Sequence, residues 1–118
     1  MSREEGNRAE RRAEDALRKK GLQTVFRNYS CRWGEIDLVM IDEPCLVFVE
    51  VRYRTAGALV TAAESITAAK KQRLIKTGQH FLTTCKSSWD RPVRFDVVAI
   101  SGSDRDNRIN WLRDAFRP

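Results

Sequence analysis

The run Leu-Val-Phe-Val-Glu-Val-Arg at positions 46–52 is the feature that most constrains the fold of this 118-residue chain. Successive side chains of a strand point to opposite faces of its sheet, so a run that is apolar at nearly every position has to be covered on both faces. Helices packed on the two faces of a sheet provide such cover. The run therefore predicts the central strand of an α/β protein.

Periodicity and turn residues define one helix and three strands in the first half of the chain. Apolar residues at helical spacing predict a helix over residues 4–20, which Gly21 ends. Strand patterns occur at three places, residues 22–29, 35–41 and 45–54. A turn at residues 42–44 joins the last two strands into an antiparallel hairpin.

The second half of the chain predicts a helix, a strand and a short helical tail. Thr61-Ala62-Ala63-Glu64 has the form of a capping box, and Thr67 is a second candidate N-cap. An apolar stripe extends the following helix to about residue 85, through Leu74, Gly78, Phe81, Leu82 and Cys85. A fourth strand is predicted over residues 92–100, and a turn of helix over residues 111–116.

The resulting element order, αβββαβ, predicts a single domain over residues 1–118. The second helix carries the chain from the third strand to the fourth as a crossover. We therefore expect a mixed central sheet with a helix on each face, which is a three-layer α/β/α architecture.

Composition favours an anionic partner and excludes a common kind of metal site. The net charge is +6 with 32% charged residues, which suits nucleic acid, although a basic surface also serves solubility alone. Cys31, Cys45 and Cys85 are widely spaced and His80 is the only histidine, so a four-ligand Cys/His zinc site cannot be built. Unpaired thiols, a charged N-terminus and the lack of a membrane-length apolar run predict a cytoplasmic protein that binds no membrane.

The hairpin places two acidic residues opposite each other. If its turn is centred after residue 43, three pairs face each other: Ile41 with Leu46, Val39 with Phe48, and Asp37 with Glu50. Strand alternation also gives one shared face to Glu35, Asp37, Val39 and Ile41. The ionic residues of this face are expected at the open end of the hairpin.

Two opposed carboxylates need compensation. Their Cβ atoms lie about 5 Å apart, so Asp37 and Glu50 repel each other, and burial raises the cost of ionising either one. A shared proton, the neighbouring Arg52 or a divalent metal ion would offset this cost. Mg²⁺ binds one or two carboxylates together with water and phosphate oxygens, which suits this pair. A buried Asp–Glu–Arg ion network without chemistry is the alternative.

The hairpin carries two further signals, the segments Gly34-Glu35-Ile36-Asp37-Leu38-Val39 and Phe48-Val49-Glu50-Val51-Arg52-Tyr53-Arg54. Together they resemble the YraN-like family of small bacterial proteins. The likeness continues along nearly the whole chain at Gly6, Ala9, Glu10, Ala13, Arg27, Asn28, Thr67, Lys70, Arg73, Leu74, residues 94–98 and residues 114–116. By resemblance, this family is counted in the PD-(D/E)xK superfamily of restriction endonucleases and archaeal Holliday-junction resolvases.

This resemblance implies a restriction-endonuclease-like fold and a role for each motif position. Asp37 matches the first acidic position and Glu50 the second, while Arg52 stands where many relatives have lysine. Glu10 matches a glutamate that related nucleases bring to the metal from the first helix. Asp37, Glu50 and Glu10 would then bind Mg²⁺ or Mn²⁺, and water would attack a phosphodiester.

Arg52 departs from the motif. A lysine in a partly buried site can lose its proton and help to deprotonate water, whereas an arginine essentially never does. Arginine can still stabilise charge on a phosphate. Lys70, Lys71 or bulk water is left to take the proton, and slow or absent cleavage is the alternative.

Basic residues near the hairpin are the expected phosphate contacts, namely Arg27, Arg32, Arg54, Lys70, Lys71, Arg73 and Lys76. Plain solvation is the alternative for cations on helix surfaces. Trp33 would either stack on a base or pack against the first helix. His80 is expected on a helix surface, and Asp96 is expected to have a structural role at a strand end.

Three functions follow as hypotheses. The first is a metal-dependent endonuclease that hydrolyses phosphodiester bonds of DNA, in branched or damaged form as the resemblance implies. The second is a non-catalytic DNA-binding module that retains the nuclease fold. The third is an accessory protein that binds another protein, and a homodimer is compatible with each of them.

Overall fold

The computed structural model of this protein describes residues 3–54, 64–85, 91–101 and 108–118, of which 3–6 and 54 are described by their backbone alone. In these ranges the elements are α1 (Arg3–Lys19), β1 (Gln23–Cys31), β2 (Gly34–Asp42), β3 (Cys45–Arg54), α2 (Ala68–Thr84), β4 (Val93–Ser101) and β5 (Arg108–Phe116). The first three residues of the predicted capping box, 61–63, lie outside the description. The N-cap at Thr67 is confirmed, because its Oγ1 accepts a hydrogen bond from Lys70 N at 3.1 Å.

The five strands form one mixed sheet with the order β1-β2-β3-β4-β5. β3 pairs in parallel with β4, and the other neighbouring strands pair antiparallel. The central position of β3 and the mixed sheet are therefore as predicted. The predicted hairpin register is confirmed, because Ile41 pairs with Leu46 and Val39 with Phe48.

The two helices cover opposite faces of this sheet. One buried cluster, called the α1-side cluster, contains Ala9, Ala13, Leu17, Leu38, Met40, Val47, Val49, Val51 and Val98. The other, called the α2-side cluster, contains Tyr29, Ile36, Val39, Leu46, Phe48, Leu74, Ile75, Phe81 and Phe95. Successive residues of β3 thus alternate between the two clusters, which accounts for the nearly continuous apolar run. Neither helix in the described ranges is long and apolar enough to cross a membrane.

Close packing of α2 on the sheet depends on Gly78. A Cβ at this position would lie 2.9 Å from Phe48 Cε2 and 3.2 Å from Phe95 Cζ, which is closer than carbon atoms pack. The missing side chain therefore lets the helix lie directly on β3 and β4. This contact holds Lys70, about two turns earlier on α2, over Glu50 of β3.

The predicted turn of helix over residues 111–116 is wrong, because Arg108–Phe116 forms β5, antiparallel to β4. Trp111 packs against the α1-side cluster, and the next residue, Leu112, packs against the α2-side cluster. This alternation is that of a strand, and β5 pairs with the edge that β4 would otherwise expose. The element order is therefore αβββαββ, one strand longer than predicted.

Asp96 connects β4 to β5. Its fully buried carboxylate accepts two hydrogen bonds from Arg94 at 2.8 and 2.9 Å, one from Trp111 Nε1 at 2.8 Å and one from Asp114 N at 2.9 Å. The bonds from Arg94 to Asp96 hold the pKa of this guanidinium above its usual value. Asp96 thus has the structural role predicted from the sequence, although it lies within β4 and not at a strand end.

Candidate functional site

The candidate site lies where β2 and β3 separate. Their backbone pairing ends at Leu38 and Val49, so Asp37 and Glu50 are the next residues toward the open end. Asp37 Oδ2 accepts a hydrogen bond from Val51 N at 2.8 Å. A side-chain carboxyl therefore takes the place of a backbone acceptor at the end of the ladder, and this bond fixes Asp37 against β3.

The alternation of side chains along β2 changes at Asp37. Leu38 belongs to the α1-side cluster, whereas Ile36, two residues away, belongs to the α2-side cluster. On the paired strand, Asn28 has a φ of 52°, a left-handed conformation that Asn tolerates better than most residues. This break places Asp37 between the two faces of the sheet.

The predicted shared face of Glu35, Asp37, Val39 and Ile41 is therefore wrong. Val39 and Ile41 pack with the α2-side cluster, but Glu35 is directed to Glu10 of α1. The physical reason is the irregular backbone at Asn28, on the strand paired with β2, because strict alternation would have kept all four side chains together.

Three carboxylates converge on the α1 side of this break. One oxygen each from Glu10, Glu35 and Asp37 lies within 4.8 Å of the others. Asn28 Nδ2 holds two of them, donating to Glu10 Oε2 at 3.0 Å and to Glu35 Oε1 at 3.2 Å. The structure thus brings Glu10 to Asp37, and it adds Glu35, which the sequence reading missed as a candidate ligand. Its only signal was the spacing of Glu35 two residues before Asp37.

Glu50 is on the other side of Asp37, toward α2. Its side chain is only 6% exposed, and Oε2 lies 3.3 Å from Lys70 Nζ. This ion pair lacks hydrogen-bond geometry, so Oε2 is a buried oxygen that accepts no hydrogen bond from any residue in the described ranges. Buried polar atoms without a hydrogen bond are rare in folded proteins, and a ligand such as an ion can satisfy them.

The pKa of Asp37 reports the electrostatics of this site. Burial raises the pKa of Asp37 to about 10, and the hydrogen bond to Glu50 and the charges of Glu50 and Glu10 act in the same direction. The N–H of Val51 acts in the opposite direction. In the absence of a cation, Asp37 therefore holds a proton at neutral pH.

These donors fit a divalent cation. All four candidate ligands are carboxylates, which hard ions such as Mg²⁺ and Mn²⁺ prefer, and one of their oxygens, Glu50 Oε2, is buried without a hydrogen bond. A cation would also favour the ionised form of Asp37.

The pH dependence of stability tests this description of Asp37. The pKa of Asp37 is about 3.9 in the unfolded chain and about 10 in the folded protein. Between these values the folded state holds a proton that the unfolded state releases, so rising pH lowers the free energy of unfolding. We expect Asp37→Asn to be more stable than the wild type at pH 9, by about 1–4 kcal/mol, in urea titrations with EDTA.

The control for this measurement is Asp15→Asn, which removes an exposed carboxylate from α1. This variant is expected to follow the wild-type curve between pH 5 and pH 9 (about the range in which Asp37 holds its extra proton). A constant stability difference between Asp37→Asn and the wild type over this range would contradict the proposed protonation of Asp37.

The predicted phosphate-binding cations divide into two groups. Five are on or near α2: Arg32 in the β1–β2 turn, and Lys70, Lys71, Arg73 and Lys76 on the helix. Arg27 is on the α1 side, where it forms an ion pair with Glu14 at 2.7 Å. The ammonium of Lys71 lies 5.9 Å from the centre of the Phe116 ring.

Arg52 and Arg54 are the remaining predicted cations. Arg52 is half-buried and follows Glu50 on the same face of β3, where it pairs with Ala99 of β4. No residue in the described ranges forms an ion pair with Arg52. The backbone of Arg54 ends β3, and its side chain lies outside the described residues.

Two aromatic residues differ from expectation. Trp33 does not pack on the first helix: its ring is at α2, 4.7 Å from Lys76 Nζ. His80 is half-buried instead of open on the helix surface, because its Nδ1 is hydrogen-bonded to the hydroxyl of Tyr29. In both cases the β1–β2 hairpin packs against α2, which the sequence pattern did not indicate.

Comparison with known proteins gives a family likeness over most of the chain. A family model described as uncharacterised protein family UPF0102 matches residues 9–100. A UPF0102 protein of Nitrosococcus oceani is 49% identical over 115 residues, covering 98% of this chain and 93% of the relative. One of Methylobacillus flagellatus is 50% identical over 111 residues, covering 94% and 95%. One of Pseudomonas aeruginosa is 47% identical over 118 residues, covering 98% and 94%.

Proposed function

This chain belongs to the uncharacterised protein family UPF0102, and we propose that it is a metal-dependent endonuclease of the PD-(D/E)xK type that hydrolyses phosphodiester bonds of DNA. The predicted family resemblance is confirmed at the level of UPF0102, whereas the superfamily is part of the proposal. The observation that carries the proposal is the carboxyl pair formed by the half-buried Asp37 and the buried Glu50. Such a pair destabilises a fold when nothing binds it, so its presence at an open strand end favours a site over a packing role.

Four residues would hold the metal ion. Asp37, Glu50 and Glu10 are the ligands that the resemblance implies, and Glu35 lies close enough to join them. When bound, Mg²⁺ or Mn²⁺ stabilises developing charge on a phosphate and lowers the pKa of water. The chain itself orders the ligands, since Val51 N holds Asp37 and Asn28 holds both glutamates.

The surrounding charge favours a phosphate ester as substrate. Lys70 and Arg52 are on the face of β3 that carries Glu50, and a net charge of +6 attracts a polyanion. The strand hairpin, the crossover helix and the parallel fourth strand are also similar to the arrangement in restriction-endonuclease-like domains. This fold likeness supports the proposal only by analogy, and the main support comes from the carboxylates of the site.

Lys70 supplies the amine that Arg52 cannot. Its Nζ is 3.3 Å from Glu50 Oε2, whereas the ammonium of the neighbouring Lys71 is near Phe116. A lysine amine can release its proton and then accept one from water, which an arginine essentially never does. We therefore assign to Lys70 the proton-accepting role left open by Arg52, with Arg52 stabilising phosphate charge.

The test is an assay of DNA binding and cleavage. Purified protein would be incubated with branched, flapped and blunt duplex DNA in Mg²⁺, Mn²⁺ or EDTA, with Asp37→Ala as the control for a contaminating nuclease. We expect cleavage only with a divalent cation and only by the wild type. Binding is expected to weaken with salt, with a slope of about −0.9 per phosphate neutralised. Binding that is absent at low salt, or indifferent to salt, contradicts the proposal.

Arg52 favours a second function, DNA binding without catalysis. An arginine at the lysine position retains the positive charge but not the titratable amine. Salt-dependent binding together with no cleavage of any DNA form, by the wild type or by Arg52→Lys, would select this function over the endonuclease.

A further inference from the structure

Trp33 is exposed at a point where the surrounding charge is positive. Its side chain is at the β1–β2 turn with 37% of its surface exposed. The guanidinium of Arg32 and the ammonium of Lys76 each lie 4.7 Å from the centre of its ring. Exposed tryptophans cost free energy in water, and cations at this distance interact favourably with the ring.

The turn that carries Trp33 is held firmly against α2. Gly34 has a φ of +150°, and a Cβ there would be 3.3 Å from Thr77 Oγ1 and 3.8 Å from Arg73 Cβ. Thr77 is fully buried, and its hydroxyl donates to Arg73 O at 2.7 Å. The backbone beside Trp33 therefore rests on a fixed surface, so the ring is presented with little freedom to lose on binding.

A row of cations connects this ring to the carboxylate site. Lys70, Arg73 and Lys76 follow each other along α2 at intervals of three residues, each about 60° further around the helix axis than the one before. Lys70 contacts Glu50 at one end, and Lys76 contacts Trp33 at the other. The two ends are about 9 Å apart along the helix axis, which corresponds to about three nucleotides at the spacing of one DNA strand.

The other tryptophan of the described ranges shows the contrast. Trp111 also has an arginine over its ring, with Arg113 Cζ at 4.0 Å, but its Nε1 donates to Asp96 and its ring packs with the α1-side cluster. Trp111 is thus explained by the fold. Trp33 belongs to neither buried cluster, so packing does not account for it.

We propose that Trp33, flanked by Arg32 and Lys76, is a platform on which an unpaired base stacks, so that the substrate is DNA with unpaired nucleotides next to a duplex. Aromatic rings bind unpaired bases through their π faces, and neighbouring cations bind the adjoining phosphates. A duplex keeps its bases stacked on each other, so it cannot use the ring in this way. This inference rests on the proposed function and names the substrate class of the same site.

The experiment compares the binding of two DNAs, measured by fluorescence anisotropy in Ca²⁺. One is a blunt duplex, and the other is the same duplex with a three-nucleotide single-stranded tail (about the span of the cation row). The measured quantity is the ratio of the two affinities. We expect Trp33→Leu to lower the wild-type preference for the tailed DNA by about 5- to 100-fold. Trp33→Phe, which retains an aromatic face, is expected to keep most of the preference.

Two controls separate this role from a structural one. Arg113→Ala removes an exposed arginine from the other tryptophan and is expected to leave the affinity ratio unchanged. Quenching of tryptophan fluorescence by the tailed DNA is expected in the wild type and is expected to be lost in Trp33→Phe. Equal preference for tailed DNA in the wild type and Trp33→Leu would overturn the platform while leaving the endonuclease proposal intact. Absence of DNA binding by the wild type would overturn both.

Discussion

Lys70→Met is expected to lower the rate of metal-dependent DNA cleavage by about 10²- to 10⁴-fold, the usual contribution of a positioned proton acceptor. The reason is its position, because Lys70 Nζ is 3.3 Å from Glu50 Oε2 and the motif position itself is Arg52. Single-turnover cleavage would be measured as a function of pH. We expect the variant rate to stay below the wild-type rate throughout the measured pH range.

The matched control is Lys71→Met, since Lys71 is the next residue on α2 but its ammonium is near Phe116. Its cleavage rate is expected to stay close to that of the wild type. Arg52→Lys introduced into Lys70→Met is expected to restore much of the rate by returning an amine to the motif position. An equal loss in both methionine variants would show that only positive charge matters here, and the role assigned to Lys70 would then be wrong.

Asp96→Ala is expected to lower the free energy of unfolding by about 3–5 kcal/mol, because it removes four buried hydrogen bonds and leaves Arg94 with Asp42 as its remaining ion-pair partner in the described ranges. The side chain of Arg94 is only 16% exposed, and Trp111 Nε1 would lose its acceptor. The measurement is urea unfolding followed by circular dichroism at neutral pH. Asp96→Asn keeps the side-chain volume and one acceptor oxygen, so its free energy of unfolding is expected to fall by less. It provides the measured stability loss if Asp96→Ala does not fold.

Glu43→Gln is the control for this prediction. Glu43 forms an ion pair of 2.9 Å with Arg91, but its side chain is 72% exposed, so solvent screens the pair. We expect this variant to lose less than about 1 kcal/mol. Equal losses in the free energy of unfolding for Glu43→Gln and Asp96→Ala would contradict the role given to the buried Asp96 carboxylate in joining β5 to β4.

The hairpin of β2 and β3 could be predicted in detail because its signals are local. β3 is apolar on both faces, and the turn before Cys45 fixes its pairing with β2. A shift of one residue would have moved Glu50 to the α1 side, into a cluster of valines. The acidic residue on an otherwise apolar strand therefore specified both the register and the place of the site.

The parts that could not be predicted depend on contacts between distant segments. β5 has no strong strand pattern of its own, and its conformation follows from pairing with the open edge of β4. The break at Asn28 and Asp37 is invisible in the sequence, because Asn tolerates a positive φ without requiring one. That break moved Glu35 from the face of Val39 to Glu10, which is why this possible ligand was missed.

The change of face at Asp37 gives one carboxyl group neighbours from both outer layers of the molecule. Glu10 reaches it from α1, and Lys70 reaches its partner Glu50 from α2. A cation bound there would cross-link α1 to β2 and β3, much as a disulfide joins segments that are remote in sequence. Occupancy of the site and the attachment of α1 to the sheet would then change together, so the ion would stabilise the fold as well as take part in the chemistry.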